Sequence, residues 1–526
     1  MKTSLLTTLG TTCLLSVSVA MAADKAVTVA FPSDFQSLDP AIGYDTQSWP
    51  VIHALFVTLL TYGQGTDLKP WGATDLGQAS ADGKTYTFHL RKGITFTDGE
   101  PTDAAAYKYA IERILDPKTK SPQGGTAGWF GALDGAADFV AGKAKAVRGI
   151  QVLDPYTIRF KLAVPDRTFL NALATPFASA LPRKAVERLG SDFSHHVVGN
   201  GPFVLESWVP GQKAVLTKNP KYFAASQVHV PRLEFTLGLS EQVALLRAQR
   251  GEVDVLGNGI PSAQFASIVN TPRFKPYIKS AVQVGTWYLF MNAQKAPFNN
   301  KLVRQAVSLA INKPRLVQLM NGRGKVTAQI LPPGMPGYDA TVSAAPMNVA
   351  RSTALLKQAG YVDSGALQLV VSTDDPSPKL AQAVQQQLAA IGMKVEIKAL
   401  PGAEYLHTIS SPGTTAIGLS SWYQAYPDPS NFLDVMFKTG YYTSGGWNIS
   451  GYLNPATDAQ LTKLRGQPLK AALPGYQAVQ KRILSDFTWI PLFNPVQYNF
   501  VNPRVKNVAI HPVWGYVYQD WGLQSP

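Results

Sequence analysis

Alternating apolar and polar positions mark two short strands early in the chain. Tyr86, Phe88 and Leu90 share one face of residues 85–90, and Ile158, Phe160 and Leu162 share one face of residues 157–162. A period of two is the signature of a half-buried strand. Between them Ala104–Leu115 repeats its apolar positions at helical spacing, with Thr102 or Asp103 placed to cap the first turn. Residues 241–250 read as a helix that turns at Gly251 into a strand over 252–256. Residues 300–311 put Leu302, Ala306 and Leu309 on one stripe, and Pro314 restarts a second short helix.

From there helix and strand alternate. The pattern predicts helices over 349–359 and 379–390, each ended by a glycine (Gly360, Gly392), and strands over 367–372, 394–400 and Ile417–Tyr423. A last long helix is expected over 476–487. Such alternation predicts an α/β lobe with a largely parallel sheet. The earlier half carries more strand and turn, which suggests a mixed α/β lobe with an added subdomain.

The first residues read as an export signal. Lys2 is followed by an apolar stretch from Leu5 to Val19 and by the small-x-small site Ala20-Met21-Ala22, so residues 1–23 are expected to be removed. No later stretch reaches the roughly 18 apolar residues that a spanning helix needs. The one cysteine, Cys13, lies inside this leader, too early for a lipoprotein box. The mature chain is therefore expected to lack disulfides, thiolate catalysis and Cys-ligated metal. A soluble, unlipidated export product points to the periplasm.

At 526 residues with 45 % apolar and 16 % charged positions, the chain can bury large cores and is not a disordered protein. Without Lys2 it carries 47 basic and 34 acidic residues, net +13, of which residues 286–494 hold 18 basic and 10 acidic. The basic residues are scattered, with no stripe interleaved with aromatics, which argues against nucleic acid and leaves a field favouring anions. Gly83-Lys84-Thr85 ends like a phosphate loop, but Gln78 stands where the loop needs its first glycine. The seven histidines are dispersed, with only His195 and His196 adjacent, so neither a metal nor any other cofactor is expected. A secreted hydrolase is the rival class. The chain contains no G-x-S-x-G, H-E-x-x-H or S-x-x-K, and a binding protein, not an enzyme, is the expectation.

Five segments then carry a family resemblance. They are Ser37-Leu38-Asp39-Pro40; Asp82-Gly83 with Tyr86 to Arg91, Gly93, Phe96, Asp98-Gly99 and Pro101-Thr102; Gly199 to Phe203 with Trp208, Gly211, Asn219-Pro220 and Tyr222; Asn292, Pro297-Phe298-Asn299, Val303-Arg304, Ala306 and Ala310-Ile311; and Trp422, Tyr426 to Pro429, Asn431 to Leu433, Gly451-Tyr452 and Ile490 to Leu492. In this order they span nearly the whole mature chain, and the sequence resembles the solute-binding proteins of the peptide and nickel class, family 5, that feed ABC importers.

The resemblance implies an α/β, two-lobed periplasmic binding protein fold of type II, in the large class with an extra subdomain. Its ligand cleft would lie between lobes joined by two hinge strands near 284–292 and 490–495. Lobe I would comprise 24–70, 193–285 and 495–526, the inserted subdomain 71–192, and lobe II 286–494. It also implies a peptide ligand captured by lobe closure, with delivery to an inner-membrane permease driven by separate ATPase subunits. Non-peptide solutes of the same class (an opine, an oligosaccharide, a metal chelate or haem) are the alternative, and a monomer is the default.

Candidate ligand contacts follow partly from residues and partly from that resemblance. Trp422, Tyr423 and Tyr426 read generically as core aromatics. The resemblance makes Ser421, Trp422 and Tyr423 a strand that pairs with ligand backbone, and gives Tyr44, Asp45 and Thr46 the same role opposite. Asn258, between two glycines, is either a cleft wall or a turn residue. Asp428 is either a ligand contact or the cap of a helix starting at Pro429, and capping is the stronger reading. Many peptide binders of this class carry an Asp three residues after the Trp to pair with the ligand ammonium; here that position is Ala425. Asp428 or Asp45 are the candidate substitutes.

Overall fold

The computed structural model describes residues 26–524 apart from 126, 127, 364, 366 and 375. The expected leader, with Ala22 and Cys13, lies outside the described residues.

Two large sheets with separate cores carry the fold. The first has five strands in the order Val255–Leu256, Ala26–Ala30, Arg232–Thr236, Lys213–Lys218, Phe203–Val209. Ala26–Ala30 runs parallel to both of its neighbours and the rest is antiparallel. Its inward positions Val27, Val29, Leu216, Leu233 and Phe235 are buried with Leu55 and Phe56, and the C-terminal Tyr518 and Trp521 close over them. Each large side chain removed from water in this way stabilises the fold by about 1.5–3 kcal/mol.

A four-stranded antiparallel sheet is inserted between the first two strands of that sheet in sequence, in the order Gln78–Ala79, Thr85–His89, Thr157–Lys161, Ile150–Asp154. Its predicted face, with Tyr86, Phe88, Ile158 and Phe160, is buried against Tyr107 and Ile111 of the helix Ala104–Leu115. Asp103 caps this helix, accepting from the Ala106 N–H at 3.0 Å.

The second large sheet has seven strands, and its main path runs Ile278–Val282, Trp489–Phe500, Gly285–Met291, Ile417–Tyr423, Gln368–Ser372, Glu396–Leu400. Here the expectation of a largely parallel sheet is corrected. Only Gln368–Ser372 lies parallel to its neighbours Glu396–Leu400 and Ile417–Tyr423. The crossing strands pair antiparallel, because they arrive from the other lobe and need no helical crossover.

Trp489–Phe500 joins the two halves of the molecule. Its first residues pair with Gly285–Met291, its last with Ile278–Val282, and Val501 then bridges to Val255 of the five-stranded sheet. It is longer than the sequence suggested, continuing past Pro495. The last long helix, Leu469–Ser485, starts earlier than expected and holds Pro474 within it. The proline interrupts the helical signal in the sequence, and packing of Ala472 and Tyr476 in the core restores the helix.

Candidate ligand-binding cleft

A cavity of about 880 Å³ opens between the two large sheets, within the 300–1,000 Å³ or so usual for small-ligand sites. One wall comes from the first half: the loop Tyr44-Asp45-Thr46 with Trp49, the turn at Asn258, and the segment from His511 to Tyr516. The other comes from Trp422 to Ala425, where Ile417–Tyr423 ends, with Val284 and Trp287 beside it. Pro495 to Tyr498, within the long strand Trp489–Phe500, also line the cavity. Gln283 donates from Nε2 to Oε1 of Gln497 at 2.9 Å and so ties the two crossing strands together.

Local chemistry explains each position. Asp45 Oδ1 accepts from the N–H groups of Gln47 and Ser48 at 2.9 and 2.7 Å, holding the loop to the helix Ser48–Leu55. Its other oxygen is buried without a partner. Tyr44 packs on Trp49 and Phe177 with both ring centroids at 5.6 Å. Asn258 Oδ1 accepts from Gln47 Nε2 at 3.4 Å. The flanking glycines are both required: a Cβ on Gly257 would sit 2.1 Å from the Phe31 ring, and Gly259 has φ +90°. Cleft wall and turn are thus the same residue.

Trp422 serves two environments. Its Nε1 donates to the Asn431 carbonyl at 3.0 Å and its ring meets Trp447 at 5.0 Å, while the residue also lines the cleft. Tyr423, beside it, is 43 % exposed. The backbone at this strand end is half-used. Gln424 N–H donates to Val284 at 2.9 Å, and Trp422 pairs with Thr286. Because pairing alternates along an antiparallel ladder, Ser421 and Tyr423 turn their N–H and C=O groups to the opposite edge. There Gln368–Ser372 pairs only with Ile417 and Gly418, and the Tyr405 hydroxyl takes the Leu419 carbonyl at 2.5 Å. Beyond Leu419, no hydrogen bond from a described residue meets the Ser421 or Tyr423 backbone on this edge.

Three expected contacts sit elsewhere. Ser421 is half-buried and its side chain is not part of the cavity lining. Tyr426 turns away from the cavity and meets Trp129 edge-on at 6.4 Å. Asp428 is 2 % exposed. It accepts from the Ser430 N–H at 2.9 Å, as a cap should, and both its oxygens pair with Arg167 at 3.0 and 2.8 Å. A carboxylate so buried and so paired, outside the cavity lining, is not presented to a ligand amine there.

Gln424, Trp287, His511 and Trp514 also line the cavity, though no motif or periodicity marks them in the sequence. Gln424 reaches across it, Nε2 donating to the Pro512 carbonyl at 2.8 Å. His511 Nε2 donates to the Gly63 carbonyl at 2.6 Å while Nδ1 accepts from Val513 and Trp514, each at 3.1 Å. Burial lowers its pKa. His53, stacked between Trp71 and Trp514 at 4.5 and 4.4 Å, is pushed down to about 3 by burial and by His511. Both imidazoles are therefore neutral near pH 7, and the segment from His511 to Tyr516 brings polar groups but no charge to the wall. The charged lining residues are Asp45, Glu241 and Arg323, the last donating to Ser262 Oγ at 2.8 Å. Among the described residues no group of three potential metal ligands forms, and no helix is long and apolar enough to cross a membrane.

This architecture matches known proteins. The family model "Bacterial extracellular solute-binding proteins, family 5 Middle" matches residues 67–444. The chain belongs to that family. Among curated family 5 relatives, the probable deoxycholate-binding periplasmic protein YgiS of Escherichia coli is 28 % identical over 92 % of this chain and 91 % of its own length. The periplasmic oligopeptide-binding protein OppA of Salmonella typhimurium is 28 % identical over 94 % and 93 %. The glutathione-binding protein GsiB of Escherichia coli is 28 % identical over 99 % and 98 %. Among solved family 5 structures, the clavulanic acid biosynthesis oligopeptide binding protein 2 superimposes with a TM-score of 0.85 over 95 % of this chain and 96 % of that one, at 24 % identity. The unliganded open form of the murein tripeptide binding protein MppA gives 0.82 over 95 % and 97 %, also at 24 % identity. These are two-lobed periplasmic binding proteins, and this family 5 chain has the same mixed α/β fold.

Proposed function

We propose that this family 5 protein is the periplasmic, ligand-capturing component of an ABC importer for peptides, and a binding protein rather than an enzyme. The observation that carries this reading is the backbone edge at Tyr423, unpaired among the described residues, in the lining of a cavity of about 880 Å³ walled by aromatic rings and side-chain amides. An extended peptide adds to such an edge as a further strand, gaining main-chain hydrogen bonds that do not depend on its side chains. The oligopeptide- and glutathione-binding names of the relatives support the same ligand class. Tyr44, Asp45, Thr46 and Asn258 meet the ligand from lobe I, and Trp422 and Tyr423 from lobe II.

The lobes divide as 24–70, 193–285 and 495–526 against 286–494, with 71–192 as the inserted subdomain. A ligand bridging them favours the closed arrangement to the extent that it binds it better than the open one. With Ala425 in the wall and Asp428 committed to Arg167, the carboxylates left to meet a ligand amine are Asp45 and Glu241. The mature protein, released from its leader near Ala22, acts as a monomer and hands its cargo to a permease served by separate ATPase subunits.

Native mass spectrometry of protein purified from its host's periplasm tests the reading. Bound species spaced by amino-acid residue masses are expected; a single non-peptide mass would replace the peptide assignment.

A further inference from the structure

Asp166, Arg167 and Thr168 follow the strand Thr157–Lys161 and belong to the side of the inserted four-stranded sheet. Arg167 reaches from there into the second half of the molecule. A guanidinium has five N–H groups, and all five of Arg167 find acceptors on that half. Nε and Nη2 donate to the two oxygens of Asp428 at 3.0 and 2.8 Å, and Nη2 also to the Tyr476 hydroxyl at 3.1 Å. Nη1 donates to the carbonyls of Leu464 and Gln467. Asp166 answers from the neighbouring position. Its Oδ2 accepts from Arg465 Nη2 at 2.7 Å, while Oδ1 is fixed by the N–H and hydroxyl of Thr168 at 2.9 and 2.6 Å.

The two ion pairs are crossed. One side offers minus then plus at 166 and 167; the other offers minus at 428 and plus at 465. A different seating would bring like charges together or leave a buried charge unpaired, and breaking a buried pair costs far more than a surface pair is worth. The contact therefore selects one relative placement of the two halves. Asp428 also caps the helix Ser430–Phe437 and lies three residues beyond Ala425, the end of the cleft wall. Whatever holds Asp428 holds that wall.

We propose that Asp166 and Arg167 are positioning residues that clasp the second lobe and so set the wall Trp422 to Ala425 opposite the loop Tyr44 to Thr46. The inference rests on the reading of this cavity as the ligand site. A wall fixed in advance spares the ligand the cost of ordering it. The inserted subdomain thereby acts on the site without touching the ligand.

The test is interlobe distance measurement by electron paramagnetic resonance on the mature chain. Lys145 and Lys470 are both exposed and the only native cysteine is Cys13, so Lys145→Cys and Lys470→Cys take spin labels selectively. In ligand-free protein, Arg167→Met is expected to raise a second distance population that the unaltered protein lacks, with at least about a tenfold rise in the unclasped-to-clasped ratio. Arg167→Lys, which keeps the charge but has at most three donors, should fall between. Asp428→Asn preserves shape and the acceptor for Ser430, so it provides the same comparison if Arg167→Met does not fold. Distance distributions of folded Arg167→Met and Asp428→Asn that superimpose on that of the unaltered protein would overturn the proposal. This comparison needs no ligand; whether a mixture of random tripeptides shifts the unaltered protein's distances judges the ligand reading separately.

Discussion

Gln424 Nε2 spans the cavity to the carbonyl of Pro512, 2.8 Å away, and joins the end of the strand Ile417–Tyr423 to the C-terminal segment of the other lobe. The carbonyl can only accept, so the amide must present its nitrogen, and its oxygen is left buried without a protein partner. Gln424→Ala removes this side-chain bond across the cavity. We expect ligand to dissociate faster, by about 0.5–1.5 kcal/mol in affinity, with little change in melting temperature. Titration calorimetry on the peptide found bound in native protein measures the loss; unchanged affinity would remove Gln424 from the site.

Trp422 is shared between core and cleft, so its loss should register in both. Trp422→Ala is expected to weaken binding by about 1–3 kcal/mol and also to lower the melting temperature, because the ring packs on Trp447 and its Nε1 holds Asn431. A variant that melts earlier but binds as before would assign the indole to the core alone.

Asp434 gives the protein a predictable pH response. Both its oxygens are buried without partners, and burial pushes its pKa up to about 7, against the opposing fields of Arg465, Lys438 and Arg167 and with the help of Asp428. The folded protein thus holds a proton that the unfolded chain releases near pH 4. The stabilisation is complete below that pH and is lost as pH rises through about 7. It amounts to at most on the order of 4 kcal/mol. Melting temperature should therefore fall between pH 5 and 8 in the unaltered protein, and Asp434→Asn should flatten that part of the profile. An equal slope in both proteins would show that another group governs it.

Gly257→Ala tests the turn under Asn258. The added methyl would lie 2.1 Å from the Phe31 ring, and Phe31 also lines the cavity. Overpacking of this kind typically costs about 1–3 kcal/mol, so a lower melting temperature and weaker ligand binding are expected together. Thermal melts with and without ligand separate the two effects. Tolerance of the alanine would mean that Phe31 can swing aside.

Local signals in the sequence proved reliable where the physics is local. The helix Ala104–Leu115 and the strand Ile417–Tyr423 lie where the pattern places them, and Asp103 caps as expected. The hairpin of Phe203–Val209 and Lys213–Lys218 was not legible, since its outer strand alternates weakly and exposes much of its length. Pro474 hid the first turns of the helix Leu469–Ser485 because proline is read as a breaker and only the core contacts of Ala472 and Tyr476 override it.

The site divided the same way. Tyr44, Asp45, Thr46, Asn258, Trp422 and Tyr423, candidates from the sequence and the family resemblance, are brought together around one cavity by the fold. For Asp428 the sequence favours a helix cap over a ligand contact, and Arg167, distant in sequence, takes both its oxygens in the fold. Order of residues and their periodicity determined many of the elements and, through the motifs, the family, because these depend on neighbours along the chain. Which carboxylate is spent, which glutamines face the cavity and how the lobes are held depend on groups brought together from opposite ends of the chain. Burial and charge pairing act on distance in space, so the tertiary structure alone decided them.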